Sequence, residues 1–183
     1  MFSVCGSSIS QTENTNQSQP KEKPELSLKM ERFGCNGRCP AYDLTIQPDG
    51  KIIFDGKFWT ELTGKAEGKL TENQLKQLID EIENAKFFSL DNAYNFDSKN
   101  CPIMATDMPR VKLHVKLNDK EKTIDHDLGC WGDNREEKQG SNSNEVKTHS
   151  EDITKKIFPQ QLYILENKIN EIADTKRWIG ERK

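Results

Sequence analysis

No run of apolar residues approaches the ~20 needed to cross a membrane as a helix. The formal net charge is −3 and no basic stripe appears, so nothing points to nucleic acid as a partner. There is no Gly-rich phosphate loop, no HExxH pair, no GxSxG elbow and no dense carboxylate cluster. With those signatures missing, no catalytic residue can be nominated, and neither a cofactor nor a resident metal is expected. Apolar residues are themselves scarce, at 33% hydrophobic against 31% charged, which is polar for a globular chain. The scarcity is uneven. Residues 1–24 and 133–152 hold few apolar side chains, and the rest is long enough for one domain with a sizeable core.

What is present is concentrated in one stretch, Phe33-Gly34-Cys35-Asn36-Gly37-Arg38-Cys39-Pro40-Ala41-Tyr42. Gly34 and Gly37 permit positive φ, so the backbone can turn sharply. Pro40 fixes its own φ and biases Cys39 toward extended geometry. The expected form is a tight loop that re-enters a strand at Ala41. The C-x3-C spacing admits three states. It can close a small disulfide ring in an oxidising compartment. It can form half of a zinc site, with Cys101 and Cys130 as the other half. It can also hold a reactive thiol, with Arg38 stabilising the thiolate. The spacing and the following proline do not reproduce a thioredoxin C-x-x-C arrangement.

Other elements follow from periodicity. Leu26, Leu28 and Met30 alternate with polar residues as a half-buried strand does, and so do Tyr42, Leu44 and Ile46. Gln47-Pro48-Asp49-Gly50-Lys51 is a hairpin turn, which sets Ile46 opposite Ile52 and Leu44 opposite Phe54. Gly56, Gly64 and Gly68 then punctuate a segment with Phe58, Trp59 and Leu62, read as an irregular third strand or loop. Adjacent Phe58 and Trp59 face opposite ways in a strand, so one of them is expected to be exposed. Thr71 and Gln74 form a capping box ahead of Leu75, Leu78, Ile79 and Ile82 at helical spacing, a core-facing helix that stops near Ala85. Phe87, Phe88 and Leu90 then pack under a long loop, 91–110, which carries Cys101 and the element Thr106-Asp107-Met108-Pro109. Asp107 there reads as a turn former, or as a partner of Arg110 or another base. Val111, Leu113, Val115 and Leu117 alternate, as do Ile124, His126 and Leu128. Closing that hairpin with Leu117 against Lys122 puts His126 opposite Leu113 inside and His114 opposite Asp125 outside, so the two histidines share no site. Pro159 suits the first turn of a helix whose stripe is Leu162, Leu165, Ile169 and Ile172, and Trp178 with Ile179 should close the C-terminus on the core. The order reads β-β-β-α-β-β-α. That is an α+β fold with a mainly antiparallel sheet of about five strands and two helices.

The motif Cys35-x-Gly37-x-Cys39-Pro40-x-Tyr42, followed by a strand, the Asp49-Gly50 turn and another strand, resembles a bacterial family of domains of unknown function. That family continues with an amphipathic helix, a T-D-x-P element matched by Thr106, Asp107 and Pro109, a strand pair, and a last helix ending in a tryptophan, here Trp178. The resemblance runs from Leu26 to Ile179, and the segment 133–152 looks like an insertion in it. Many members look like secreted or lipid-anchored proteins of Gram-negative bacteria, so the resemblance implies a cell-envelope location. It implies no activity.

Residues 1–24 are too polar to order themselves and read as a disordered tether. Residues 25–183 form the domain, with 133–152 as a disordered insertion that carries His149. Cys5-Gly-Ser-Ser followed by a polar linker resembles the mature start of a bacterial lipoprotein, although Val4 is large for the position before a lipidated cysteine. A plain cytoplasmic tail is the alternative. The second hairpin places Cys130 near Pro109, within reach of Cys101. A bridge there would close about 30 residues, worth roughly 3–4 kcal/mol in the chain-entropy model. Cys35 with Cys39 and Cys101 with Cys130 then leave Cys5 for acylation. The expected protein is a non-catalytic envelope module that binds an unknown protein or small ligand, and touches the membrane only through Cys5. The alternatives are a thiol redox or zinc protein using Cys35 and Cys39, and a peptidase-inhibitor-like module with the cysteine loop projecting.

Overall fold

The computed structural model describes Met1, residues 24–132 and residues 157–181. The tether with Cys5, and the insertion with His149, lie outside the described residues.

The first three strands are the ones the alternation predicts: β1 (Leu26–Arg32), β2 (Ala41–Ile46) and β3 (Lys51–Phe58). The β2–β3 turn is built as its residues dictate. Gly50 takes φ 84°, which a side chain would resist. The Asp49 carboxylate accepts from Lys51 N–H at 2.9 Å, and Gln47 N–H donates to the Lys51 carbonyl at 2.9 Å. Ile46 pairs with Ile52 and Leu44 with Phe54.

Gly64–Lys69 is a full strand, β4, paired antiparallel with β3 through Gly56↔Gly64 to Lys51↔Lys69. It replaces the expected irregular segment. Ala66 is its one apolar residue, so no alternation shows, and a strand at a sheet edge needs only its neighbour's backbone. Phe58 and Trp59 are both exposed rather than one of them.

The predicted helix is α1 (Glu72–Asn84), with both hydrogen bonds of the capping box made and Ala85 as its C-cap. A short 3-10 turn, Phe87–Ser89, follows it. The 91–110 loop contributes β5 (Ala93–Tyr94) and β6 (Ile103–Met104), then β7 (Arg110–Leu117), β8 (Lys120–Asp127) and β9 (Cys130–Trp131). The chain ends in α2 (Gln160–Ile172) and the short α3 (Lys176–Ile179).

One sheet has seven strands in the order β4-β3-β2-β1-β7-β8-β5, and β6 pairs with β9 in a second, two-stranded sheet. The fold is α+β, with seven strands in the main sheet where about five were expected. Three of the additional pieces, β5, β6 and β9, are only two residues long and carry no readable period.

The β7–β8 hairpin also corrects the expected register. Leu117 pairs with Lys120, which sets His126 opposite Val111 and His114 opposite Thr123. Asn118 takes φ 53° and allows a two-residue turn where a four-residue one was expected. The slip is two residues, so every side chain keeps its predicted face.

Both long helices lie on one face of the sheet, and Gln74 Nε2 donates to the Ile172 carbonyl at 3.1 Å to join them. Leu28, Met30, Leu44, Phe54, Leu113 and Val115 meet Leu78, Ile82, Leu165 and Ile169 there, all at most 1% exposed. The opposite face is polar. It carries ion pairs such as Lys57 with Asp43 at 2.6 Å and Lys51 with Glu67 at 2.7 Å.

Candidate functional site

Four strand ends meet at one end of the sheet. Arg32 of β1 pairs with Tyr42 of β2 and Val111 of β7, and Ala41 pairs with Phe58 of β3. Phe33 N–H donates to the Arg110 carbonyl at 2.8 Å, which draws the Thr106–Pro109 element to the same end. The cysteine loop crosses this end between β1 and β2.

Cys35 and Cys39 are joined, with Cα atoms 5.5 Å apart. The ring gives the loop its shape, and Gly37 N–H donates to the Cys35 carbonyl at 2.8 Å. Neither sulfur offers a thiolate in this state. Gly34, Gly37 and Arg38 are exposed and Pro40 is buried.

Tyr42 explains the end of the motif. Its ring lies on Phe54, with centroids 5.2 Å apart, and Phe54 lies on Trp178 at 5.1 Å. Its hydroxyl donates to Asn170 Oδ1 of α2 at 2.6 Å, and Thr175 Oγ1 donates to the same oxygen at 2.9 Å. The start of β2, where the cysteine loop re-enters the sheet, is thereby tied to α2 across 128 residues of sequence.

Two shallow grooves open beside Pro40, which lines both. One is about 430 Å³ and is bounded by Arg32, Asn167, Asn170 and Lys176. The other is about 460 Å³ and lies among Arg38, Trp59, Thr60 and Glu61. Backbone bonds from Leu62 N–H to the Trp178 carbonyl (3.0 Å) and from Glu61 N–H to the Ile179 carbonyl (3.2 Å) build the far wall. Arg38 stands 5.6 Å over the Trp59 ring. Trp59 is 58% exposed and its chain neighbour Phe58 70%, while Phe33, 45% exposed, has Arg110 over its ring.

The second motif has a different setting. Thr106 and Asp107 are exposed and Pro109 is buried. Asp107 takes φ 63° as a turn residue. The Arg110 guanidinium is bound by Asp125, not by Asp107, and lies 5.9 Å over Phe33. Asp125 holds it charged, raising its pKa despite some opposing desolvation. Leu128 N–H donates to the Pro109 carbonyl at 2.9 Å, and the element is stapled from behind by Cys101–Cys130, whose Cα atoms are 5.3 Å apart.

Sequence reasoning missed one charged pair. His126 Nδ1 lies 2.7 Å from Glu166 Oε1, with the two side chains 0% and 1% exposed. His126 Nε2 faces the Phe158 carbonyl at 3.2 Å. Both ring nitrogens therefore meet acceptors, which suits the imidazolium. Burial works against that charge, but the Glu166 carboxylate and its hydrogen bond outweigh it and hold the His126 pKa above 6.5. The signal was available, since Glu166 falls on the apolar stripe of α2 between Leu162 and Ile169. The pair faces the core rather than a groove, so it is structural. Among the described residues, no three His, Cys, Asp or Glu side chains gather as a metal site.

The class that emerges is a disulfide-stapled α+β domain with one helix-covered sheet face and a rigid loop cluster at one end. The chain belongs to a family described as a domain of unknown function, DUF6438, whose pattern matches residues 26–173. No curated protein matches the chain.

Proposed function

We propose that this protein is a non-catalytic binding module of the bacterial cell envelope, which holds a partner at the cysteine-loop end of its sheet. The observation that carries the reading is the exposed Trp59 with Arg38 over its ring, next to the exposed Phe58. Monomeric proteins seldom expose such clusters without using them, and Trp and Arg are the residues most often found at the energetic centre of interfaces. Two disulfides support an oxidising location, because reducing compartments keep thiols free. A lipid anchor at Cys5 would hold the domain at a membrane, with residues 6–24 as its reach. The test is a photo-crosslinking side chain placed at position 59 and, separately, at Glu83 on the exposed side of α1. A discrete adduct in envelope extracts from 59 but not from 83 is the expected result. Equal adducts from both positions, or none from 59, would overturn the reading.

A further inference from the structure

Two protons hold three buried groups together. Glu166 Oε1 and the Phe158 carbonyl each face a ring nitrogen of His126, at 2.7 and 3.2 Å. Each contact needs a hydrogen between its two heavy atoms, so both stand only while the His126–Glu166 pair carries two protons. Whether the first sits on Nδ1 or on the carboxyl does not change that count. When one proton leaves, one contact is left with lone pairs facing each other. The carboxylate has the stronger claim on the proton that remains. Its other oxygen, Oε2, is buried with no hydrogen-bond partner among the described residues, so His126 is its one source of compensation. The contact that fails is therefore the one to Phe158.

Phe158 joins several elements. Its N–H donates to the Cys130 carbonyl at 2.8 Å, and the preceding Ile157 bridges Trp131 of β9. Its ring meets Tyr94 of β5 edge-on at 5.8 Å. Through His126 it also holds the entry of α2 against β8. The other ionisable groups around His126 do not duplicate this step. Tyr94, its ladder partner on β5, is raised by burial above its ordinary value and keeps its proton at neutral pH. Arg110 stays charged on Asp125. Asp127, next along β8, is raised by burial and accepts from Gly129 N–H at 2.8 Å. Cys130 is bound in a disulfide and does not titrate.

We propose that His126, Glu166 and Phe158 form a proton-operated clasp, closed while the pair holds two protons and opening locally at Ile157–Phe158 when it loses one. Burial opposes charge on the ring, yet Glu166 and the Phe158 carbonyl hold its pKa above 6.5. The clasp is thus closed on the acid side and opens as pH rises through the folded value. Opening releases the Cys130 carbonyl from Phe158 and uncovers that edge of β9, while the main sheet stays formed.

The test is site-resolved amide exchange of the oxidised full chain from about pH 5.5 to 9, each rate divided by its intrinsic rate at that pH. Phe158 N–H should lose about tenfold or more of its protection across the titration, the scale of one buried carbonyl left without a donor. At the alkaline end its exchange should be nearly independent of dilute urea, while Leu44 N–H in the middle of the sheet becomes steeply dependent on it. Nitrogen-15 shifts of the His126 ring should show the proton leaving Nε2. Glu166→Gln should abolish the pH response, because the amide can donate to Nδ1 and leave Nε2–H on Phe158 at every pH. Constant Phe158 protection, or Phe158 exchange as steep in urea as that of Leu44, would overturn the clasp. So would a proton lost from Nδ1, or a ring still doubly protonated at about pH 9. A folded Glu166→Gln chain whose Phe158 still opens with pH would do the same, and the wild-type measurements decide alone if that variant does not fold.

Discussion

A carboxylate and an imidazole buried side by side must compensate one another, because water is not there to do it. His126 and Glu166 do so at 2.7 Å, and removing one partner strands the other. Losses of roughly 3–5 kcal/mol are typical of such a break. The pair also gives the fold a pH dependence whose sign can be worked out. The folded-state pKa of His126 is raised above 6.5, so the stabilisation is complete below that value and is lost as pH rises through the folded value. Tyr94 packs edge-on at 6.3 Å, and Asp127, with Arg110 near it, adds a further favourable charge. Asp127 is itself raised by burial, so the informative quantity is a difference that leaves it in place. Urea midpoints of the wild type and Glu166→Gln are to be compared from about pH 5.5 to 9. The expected gap is largest at acid pH and narrows as pH rises. A gap independent of pH would mean that His126 is neutral in the fold.

The elements are held by two staples of different value. Cys101–Cys130 spans 29 residues and pins the 91–110 loop to β9, with Cys130 fully buried. Cys35–Cys39 spans four and shapes one exposed loop. In the chain-entropy model the first is worth roughly 3–4 kcal/mol and the second about 2. Replacing both cysteines of the longer bridge by Ala should therefore lower unfolding free energy more than the same change in the shorter one, read from denaturant midpoints. The reverse order would mean that the 91–110 loop is held by packing alone. The bridges also show what the sequence makes legible. Strict alternation located β1, β2, β3, β7 and β8, and cap chemistry located α1. β4 stayed hidden because Ala66 is its only apolar side chain. The β7–β8 register slipped because nothing in Asn118-Asp119-Lys120-Glu121 announces that Asn118 adopts positive φ. At the candidate site the motif loop could be read, while its neighbours could not. Trp59, Glu61 and Gly180 reach Pro40 only through the β3–β4 turn and the path of the C-terminus. Glu166 was missed because a lone acid within an apolar stripe looks like a boundary residue until its partner across the core is known.

At the scale of the whole molecule, the staples bear on where this chain can live. Their combined model value, roughly 5–6 kcal/mol, is as large as the entire stability of many domains, which is about 5–15 kcal/mol. A reduced chain would then be marginal, and the rigid loop end that carries Arg38 would lose its ring. An envelope protein meets no such difficulty, because its compartment keeps the bridges formed. The expectation is that Cys35, Cys39, Cys101 and Cys130 resist alkylation in the native and the denatured oxidised protein, become reactive only after reduction, and leave no metal in the native mass. The reduced protein should melt well below the oxidised one, by more than about 10 °C at this size. Equal melting points would show that the fold does not depend on its bridges and would open the cytoplasm as a location. Four thiols alkylated without reduction, with a metal mass lost on denaturation, would instead turn the cysteines into a zinc site and make the loop a metal clamp rather than a docking surface.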